Sequence, residues 1–358
     1  MRRNSSVRIG HSEMSGRVLL IYTGGTIGMW LDPDTGVLHP MDLGLLEDQV
    51  PELKRMEVAL GTISFKHPID SSDMRPADWI AIARIIYENY GSYDGFVVLH
   101  GSDTMAYTAS ALSFLLEGLA KPVILTGSQL PVGMIRTDAR ENLVTAIEIA
   151  AAKDGNGRAM VPEVAIYFEY RLMRGNRTVK VHADRFEAFR SPNWPALAEA
   201  GIHLRYDRTS ILPHPQSTLR LHERLDDRVT LIHLYPGIRP DRVEAALAQP
   251  GLEAAVIATF GSGNGPTDPA FLDVLRRAAV RGTILVNVTQ CAGGRVEQGR
   301  YVTSKAFQEM GMVGGADMTI EAALTKLMFL LGQRMDHVNN DTIANEVARP
   351  IAGELTLL

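Results

Sequence analysis

Only one cysteine, Cys291, occurs in the 358 residues, so no disulfide can close within the chain. A lone thiol fits a reducing compartment rather than an oxidising one. Long apolar runs are also missing. Val18 to Tyr22 is apolar but far short of the ~20 residues needed to cross a bilayer, and no other run approaches that length. Met1-Arg2-Arg3 is followed by polar residues from Asn4 to Gly16, without the apolar stretch of an export signal. A soluble, cytoplasmic protein is expected, with no membrane partner. There is no basic excess either: the formal net charge of −5 leaves no electrostatic footprint for nucleic acid. The histidines are scattered, with no paired spacing such as H-E-x-x-H, so neither a metal nor a metal cofactor is expected.

What is present is ordinary for a globular chain, with 46% hydrophobic and 22% charged residues, and its length suits two domains. A pattern repeats along it: a short β-rich run, a turn of glycine, serine and threonine, then a helical stretch. Residues 17–22, 95–99, 121–125 and 163–168 read as strands, and 106–119 and 138–152 as helices. The pattern resumes further on, with strands at 229–234, 254–259 and 283–288 and helices at 268–281 and 319–331. Strands alternating with helices predict an α/β fold, a larger doubly wound, mostly parallel sheet followed by a smaller α/β domain. The predicted organisation is a disordered tail at 1–16, an N-terminal domain at 17–206, a Pro-containing linker at 207–228 and a C-terminal domain at 229–358.

In an open α/β sheet, ligands bind beyond the carboxyl ends of the strands. Three runs of the first half end there in hydroxyl, amide or carboxylate side chains beside glycine: Thr23-Gly24-Gly25-Thr26, His100-Gly101-Ser102-Asp103-Thr104 and Thr126-Gly127-Ser128-Gln129. Glycine lets backbone N–H groups face a ligand closely. A nucleotide is a poor fit, because Thr23 to Gly28 is neither G-x-G-x-x-G nor a P-loop with its lysine. The pattern supplies hydroxyls, Thr26 and Ser102, the latter beside Asp103. A hydroxyl is a weak nucleophile until a base takes its proton, and a desolvated lysine held by a carboxylate can do so. Lys180 follows the polar segment Arg174-Gly175-Asn176-Arg177-Thr178-Val179, which reads as too polar for core. On chemistry alone this is one arrangement among several. Thr26 could equally cap the turn after it, Ser102 and Asp103 could cap the helix that follows, and Lys180 could be a solvated surface residue. His100 reads as a packing and hydrogen-bonding residue, and Cys291 as a small buried hydrophobe.

Six segments narrow the choice. They are Tyr22-Thr23-Gly24-Gly25-Thr26-Ile27-Gly28-Met29, Asp70-Ser71-Ser72-Asp73-Met74, His100-Gly101-Ser102-Asp103-Thr104-Met105-Ala106, Arg174-Gly175-Asn176-Arg177, Gly261-Ser262-Gly263-Asn264-Gly265 and Gly314-Gly315-Ala316-Asp317-Met318-Thr319. In this order, from about residue 17 to the end, the chain resembles the type I, cytoplasmic branch of the L-asparaginase family.

The resemblance implies hydrolysis of L-asparagine to aspartate and ammonia through a threonine acyl-enzyme, without a cofactor. It implies Thr26 as the nucleophile and Ser102, Asp103 and Lys180 as a second catalytic group. Asp70, Ser71, Ser72 and Asp103 would hold the substrate's α-ammonium and α-carboxylate. It further implies a homodimer or homotetramer, with Asn264 supplied to the site by the neighbouring subunit. The chain departs from the family pattern in four places. Ser102 stands where threonine is usual. No tyrosine occurs near Val37 on the loop 29–42, and Tyr301 is the candidate replacement. Val179 and Ala258 stand where bacterial type I enzymes place the threonine and arginine of an allosteric asparagine site. The alternatives are a glutaminase-asparaginase of broader specificity and a non-catalytic amino-acid-binding protein.

Overall fold

The computed structural model describes residues 16–31, 38–40, 49–300, 302–334 and 340–357. The expected tail, except Gly16, lies outside them. The larger of the two main sheets has eight strands, in the order Arg205–Tyr206, Ala198–Glu199, Arg171–Arg174, Val164–Phe168, Val123–Thr126, Gly95–Leu99, Gly16–Tyr22 and Val58–Ser64. The last five of these run parallel to one another, and the first three extend the sheet antiparallel.

The parallel strands inside the edge strand Val58–Ser64 are buried on both faces, as continuous apolar runs such as Gly95–Leu99 require. Alternate side chains serve opposite layers. Leu19, Ile21, Phe96 and Val98 pack with Ile82, Ile86 and Phe114 from the helices Pro76–Asn89 and Met105–Leu115. Val18, Leu20, Val97 and Leu99 pack with Leu143 and Ile147 from Ala139–Ala151 on the other side.

A second, parallel sheet contains Val229–His233, Ala254–Thr259, Ile284–Thr289 and Val313–Gly314. The helices Pro240–Leu247 and Pro269–Val280 cover one face, and Ile320–Gly332 and Asn340–Val347 the other. Two helix starts follow from side-chain caps. Asp268 accepts from Ala270 N and Thr319 from Ala322 N, each satisfying an N–H that the first turn leaves open. The units meet where Phe114 stacks on Phe329 with ring centroids 5.9 Å apart. Among the described residues, no helix is long and apolar enough to cross a membrane.

Two expectations need correction. The helix expected over 106–119 stops at Leu115, because Leu116–Glu117 pairs with the strand Arg220–Leu221. That strand belongs to the stretch 207–228, where His222 also bonds Glu117 at 2.7 Å and Gln333 at 3.0 Å. Cys291 is exposed, since it falls two residues past the end of Ile284–Thr289.

Candidate active site

The parallel strands bring their carboxyl ends to one edge, where Tyr22, Ser64, Leu99 and Thr126 stand in register. The loops that follow interlock through their backbones. Thr23 N donates to Leu99 O at 3.0 Å, and Ile69 N to Thr23 O at 2.7 Å. Gly25 has a φ of 87°, and a methyl group added there would fall 2.4 Å from Gly101 N. One added to Gly101 would fall 2.5 Å from Ser71 Oγ. Only glycine permits these approaches, so the loops carrying Thr26, Ser71 and Ser102 touch because of it.

Thr26 opens the 3-10 turn Thr26–Gly28, whose N-cap is Gly25 rather than a hydroxyl residue. The turn is pinned from below by Tyr22, whose buried phenol donates to Gly28 O at 3.0 Å. Burial pushes that phenol's pKa up to about 12, so it remains a donor.

Ser102 and Asp103 are likewise not helix caps. The N-cap of Met105–Leu115 is Thr104, and no acid lies in the first turn. Thr104 instead donates to Ser71 O at 2.6 Å, tying this loop to the 70–73 turn. Ser102 and Asp103 are engaged by Lys180, whose Nζ lies 2.8 Å from Ser102 Oγ and 2.5 Å from Asp103 Oδ1. The lysine side chain is 16% exposed and the aspartate 66%, so the pair reaches solvent and does not lie in the core. An ammonium has no lone pair, so Ser102 accepts from it and keeps its own hydrogen to donate onward.

Asp70 caps the 3-10 turn Ser71–Asp73, accepting from Ser72 N at 2.9 Å and Ser72 Oγ at 2.8 Å. The Ser72 backbone N–H, then its hydroxyl, hold the carboxyl below the usual carboxylate range. Asp70 is thus an anion at the same edge as Asp103. Ser71 is buried and Ser72 exposed.

The third loop is occupied structurally. Thr126 donates to Tyr167 O at 2.8 Å, Ser128 to Leu130 O at 2.6 Å and Gln129 Nε2 to Arg185 O at 2.9 Å. His100 sits beneath it, fully buried. Its Nδ1 lies 2.7 Å from Gly101 O, so this nitrogen carries the hydrogen and Nε2 accepts from Thr108 Oγ1 at 2.9 Å. Burial lowers its pKa to about 4.

The segment before Lys180 also corrects the sequence reading. Arg174, Asn176, Arg177 and Thr178 are all buried, at 3%, 0%, 1% and 0% exposure. Their polarity is absorbed by specific partners. Arg174 pairs with Glu163 at 2.6 Å and Arg177 with Asp317 at 2.8 Å, and both guanidinium groups lie over the Trp194 ring. No signal in the local sequence points to Asp317, which lies in the second half of the chain.

Asn264 sits beyond the carboxyl end of Ala254–Thr259, where Phe260 and Asn264 form a bridge. Val179 is half-buried next to Lys180, and Ala258 is fully buried in its strand. Tyr301 and Val37 lie outside the described residues.

Residues 17–212 match the family described as Asparaginase, N-terminal, and residues 228–343 match the Glutaminase/Asparaginase C-terminal domain. The chain belongs to the asparaginase family. Within that family it is 47% identical to L-asparaginase 1 of Escherichia coli (strain K12) over 345 residues, covering 95% of this chain and 98% of that protein. Its structure is similar to that of L-asparaginase I from Vibrio cholerae O1 biovar eltor str. N16961, with a TM-score of 0.85 and 42% identity over 96% of this chain and 99% of that one. The thermostable L-asparaginase from Thermococcus kodakarensis gives a TM-score of 0.86 at 32% identity, covering 96% of this chain and 100% of that one. The resemblance carried by the six segments therefore holds.

Proposed function

We propose that this chain hydrolyses the side-chain amide of L-asparagine to aspartate and ammonia, with Thr26 as the nucleophile. The observation that carries the reading is the Lys180 ammonium held between Ser102 Oγ and Asp103 Oδ1. A lysine in contact with both a hydroxyl and a carboxylate can form a proton relay, and Thr26 supplies a second hydroxyl from the adjoining loop.

In this account the Thr26 oxygen attacks the amide carbon and forms a tetrahedral adduct. Backbone N–H groups of the glycine-rich turns face its oxyanion, a contribution typically worth about 3–4 kcal/mol per donor. The C–N bond breaks, ammonia leaves with the proton released by Thr26, and an aspartyl ester remains on the threonine. Water then attacks that ester. Ser102, oriented by the Lys180 ammonium, takes the water's proton and passes its own hydrogen to the Thr26 oxygen as aspartate departs, so the net reaction consumes one water. The carboxylates of Asp70 and Asp103 suit the substrate's α-ammonium, and the Ser71 and Ser72 donors suit its α-carboxylate.

A homo-oligomer is part of the same reading, dimer or tetramer, with Asn264 completing the partner's site. So is a cytoplasmic location, which the single, exposed Cys291 supports.

A coupled ammonia assay with asparagine and with glutamine tests the reading. Ammonia is expected from asparagine, with glutamine turned over less efficiently; one methylene changes binding by only about 1–3 kcal/mol, so some glutamine turnover is compatible. No ammonia from asparagine overturns the proposal in favour of an amino-acid-binding role.

A further inference from the structure

Lys180 lies in a two-residue strand, Val179–Lys180, which pairs with Phe189–Arg190 and is followed by a bond from Val181 N to Ala188 O at 2.8 Å. So short a ladder leaves the lysine's position to whatever holds the chain just before it. That hold comes from the far end of the molecule.

Lys326 and Glu354 form an ion pair at 2.5 Å with both side chains wholly buried. Lys326 Nζ also donates to Val347 O at 2.9 Å and Arg349 O at 2.5 Å. The Glu354 carboxylate accepts from Ile351 N at 3.0 Å and Ala352 N at 2.8 Å. Burying two charges is favourable only when their remaining donors and acceptors are matched, and here they are matched to the backbone of residues 347–354. That staple fixes the shape of the tail and aims its next carbonyls at the segment before Lys180. Ala352 O accepts from Asn176 Nδ2 at 2.9 Å, and Gly353 O from Arg177 Nε at 2.7 Å and Arg174 Nη1 at 3.2 Å.

Arg177 is then gripped on its remaining nitrogens. Nη2 donates to Thr356 Oγ1 at 3.0 Å, and Nη1 pairs with Asp317 Oδ2 at 2.8 Å. Asp317 is itself oriented by Thr356 N, which donates to Oδ1 at 2.7 Å. The guanidinium, three residues before Lys180, is thus held by residues from beyond position 316, through hydrogen bonds at Nε and Nη2 and through the ion pair at Nη1, which lacks hydrogen-bond geometry. Thr178 completes the anchor by donating to Arg174 O at 2.7 Å.

We propose that residues 351–356, stapled by Lys326 and Glu354, are a positioning element for Lys180, acting through the grip of Gly353, Thr356 and Asp317 on Arg177. The proposal rests on the reading of Lys180 as part of the proton relay. Loosening the grip moves Lys180 relative to Ser102, and small misplacements of a relay group slow chemistry far more than they weaken substrate binding.

The test uses the full-length protein with Asp317→Asn, which keeps shape and removes charge, and Thr356→Val, which removes only a hydroxyl. In each, kcat for ammonia release from asparagine is expected to fall about tenfold while KM stays within about twofold. The pH at which kcat is half-maximal is expected to move by about half a unit, because the surroundings of the relay change. A merely structural role lowers the melting temperature and scales the pH curve without displacing it. Should Asp317→Asn fail to fold, Thr356→Val alone decides. An undisplaced pH curve, in a series where Lys180→Met is inactive, overturns the positioning role and leaves the relay standing. An active Lys180→Met overturns both.

Discussion

The ammonium of Lys180 lies 2.8 Å from the hydroxyl of Ser102, although 78 residues separate them in the chain. The contact depends on the carboxyl edge of the first sheet, where the loop after Gly95–Leu99 meets the strand Val179–Lys180. Lys180→Met keeps most of the side-chain volume and removes the proposed relay. Its kcat with asparagine is expected to fall at least about a hundredfold, as for loss of a general acid–base group. A loss under about tenfold, or ~1.4 kcal/mol of barrier, would remove Lys180 from the chemistry.

Ser102 keeps the hydroxyl of the family's usual threonine but lacks its γ-methyl, which narrows χ1. The looser rotamer costs about 1 kcal/mol, equivalent to several-fold in rate. Ser102→Thr is therefore expected to match or exceed the parent in kcat, and Ser102→Ala to lose most activity. Near-normal turnover by Ser102→Ala would show that the second hydroxyl is dispensable.

Tyr22 links the core to the turn that carries Thr26, through its bond to Gly28 O. Tyr22→Phe deletes that bond and strands a buried carbonyl, for an expected cost of about 1–2 kcal/mol in stability. It should also lower kcat several-fold with little effect on KM, since the turn beneath Thr26 loosens. Unfolding curves and steady-state kinetics on the same preparation check both parts; a fall in KM affinity alone would place Tyr22 in binding instead.

His100 makes stability depend on pH. Its folded-state pKa of about 4 lies below the ordinary value of 6.5. Between those values the unfolded chain takes up a proton that the folded one refuses, so stability is lost as pH falls from about 6.5 to about 4 and changes no further below that. The loss from this residue amounts to about 3 kcal/mol. Denaturant midpoints from pH 8 to pH 4 should therefore fall less steeply in His100→Gln than in the parent. Parallel curves would mean that His100 is not held neutral.

Much of the fold was legible because its strands are short apolar runs closed by glycine turns. Gly95–Leu99 and Ala254–Thr259 have the bounds that their composition implies. The edge strands Ala198–Glu199 and Arg205–Tyr206 are too short and polar to carry a period, and only the sheet creates them. The helix Pro76–Asn89 was missed although Pro76 at its first turn and Asp78 are ordinary start signals. In the site, Ser102, Asp103 and Lys180 were legible as types, but their contact was not. The segment around Arg177 misled in the other direction: its composition reads as exposed, while the carbonyl that buries Arg177 lies 176 residues away. Local composition carries no trace of such a partner.

Ammonia release from asparagine by Thr26→Ala tests the central claim most directly. The substitution removes the proposed nucleophile and leaves the Lys180–Ser102–Asp103 group and the Asp70 turn in place. The account predicts a loss of at least about a thousandfold in kcat with fold and assembly unchanged. Turnover within about tenfold of the parent would contradict it, and would move the nucleophile to another hydroxyl.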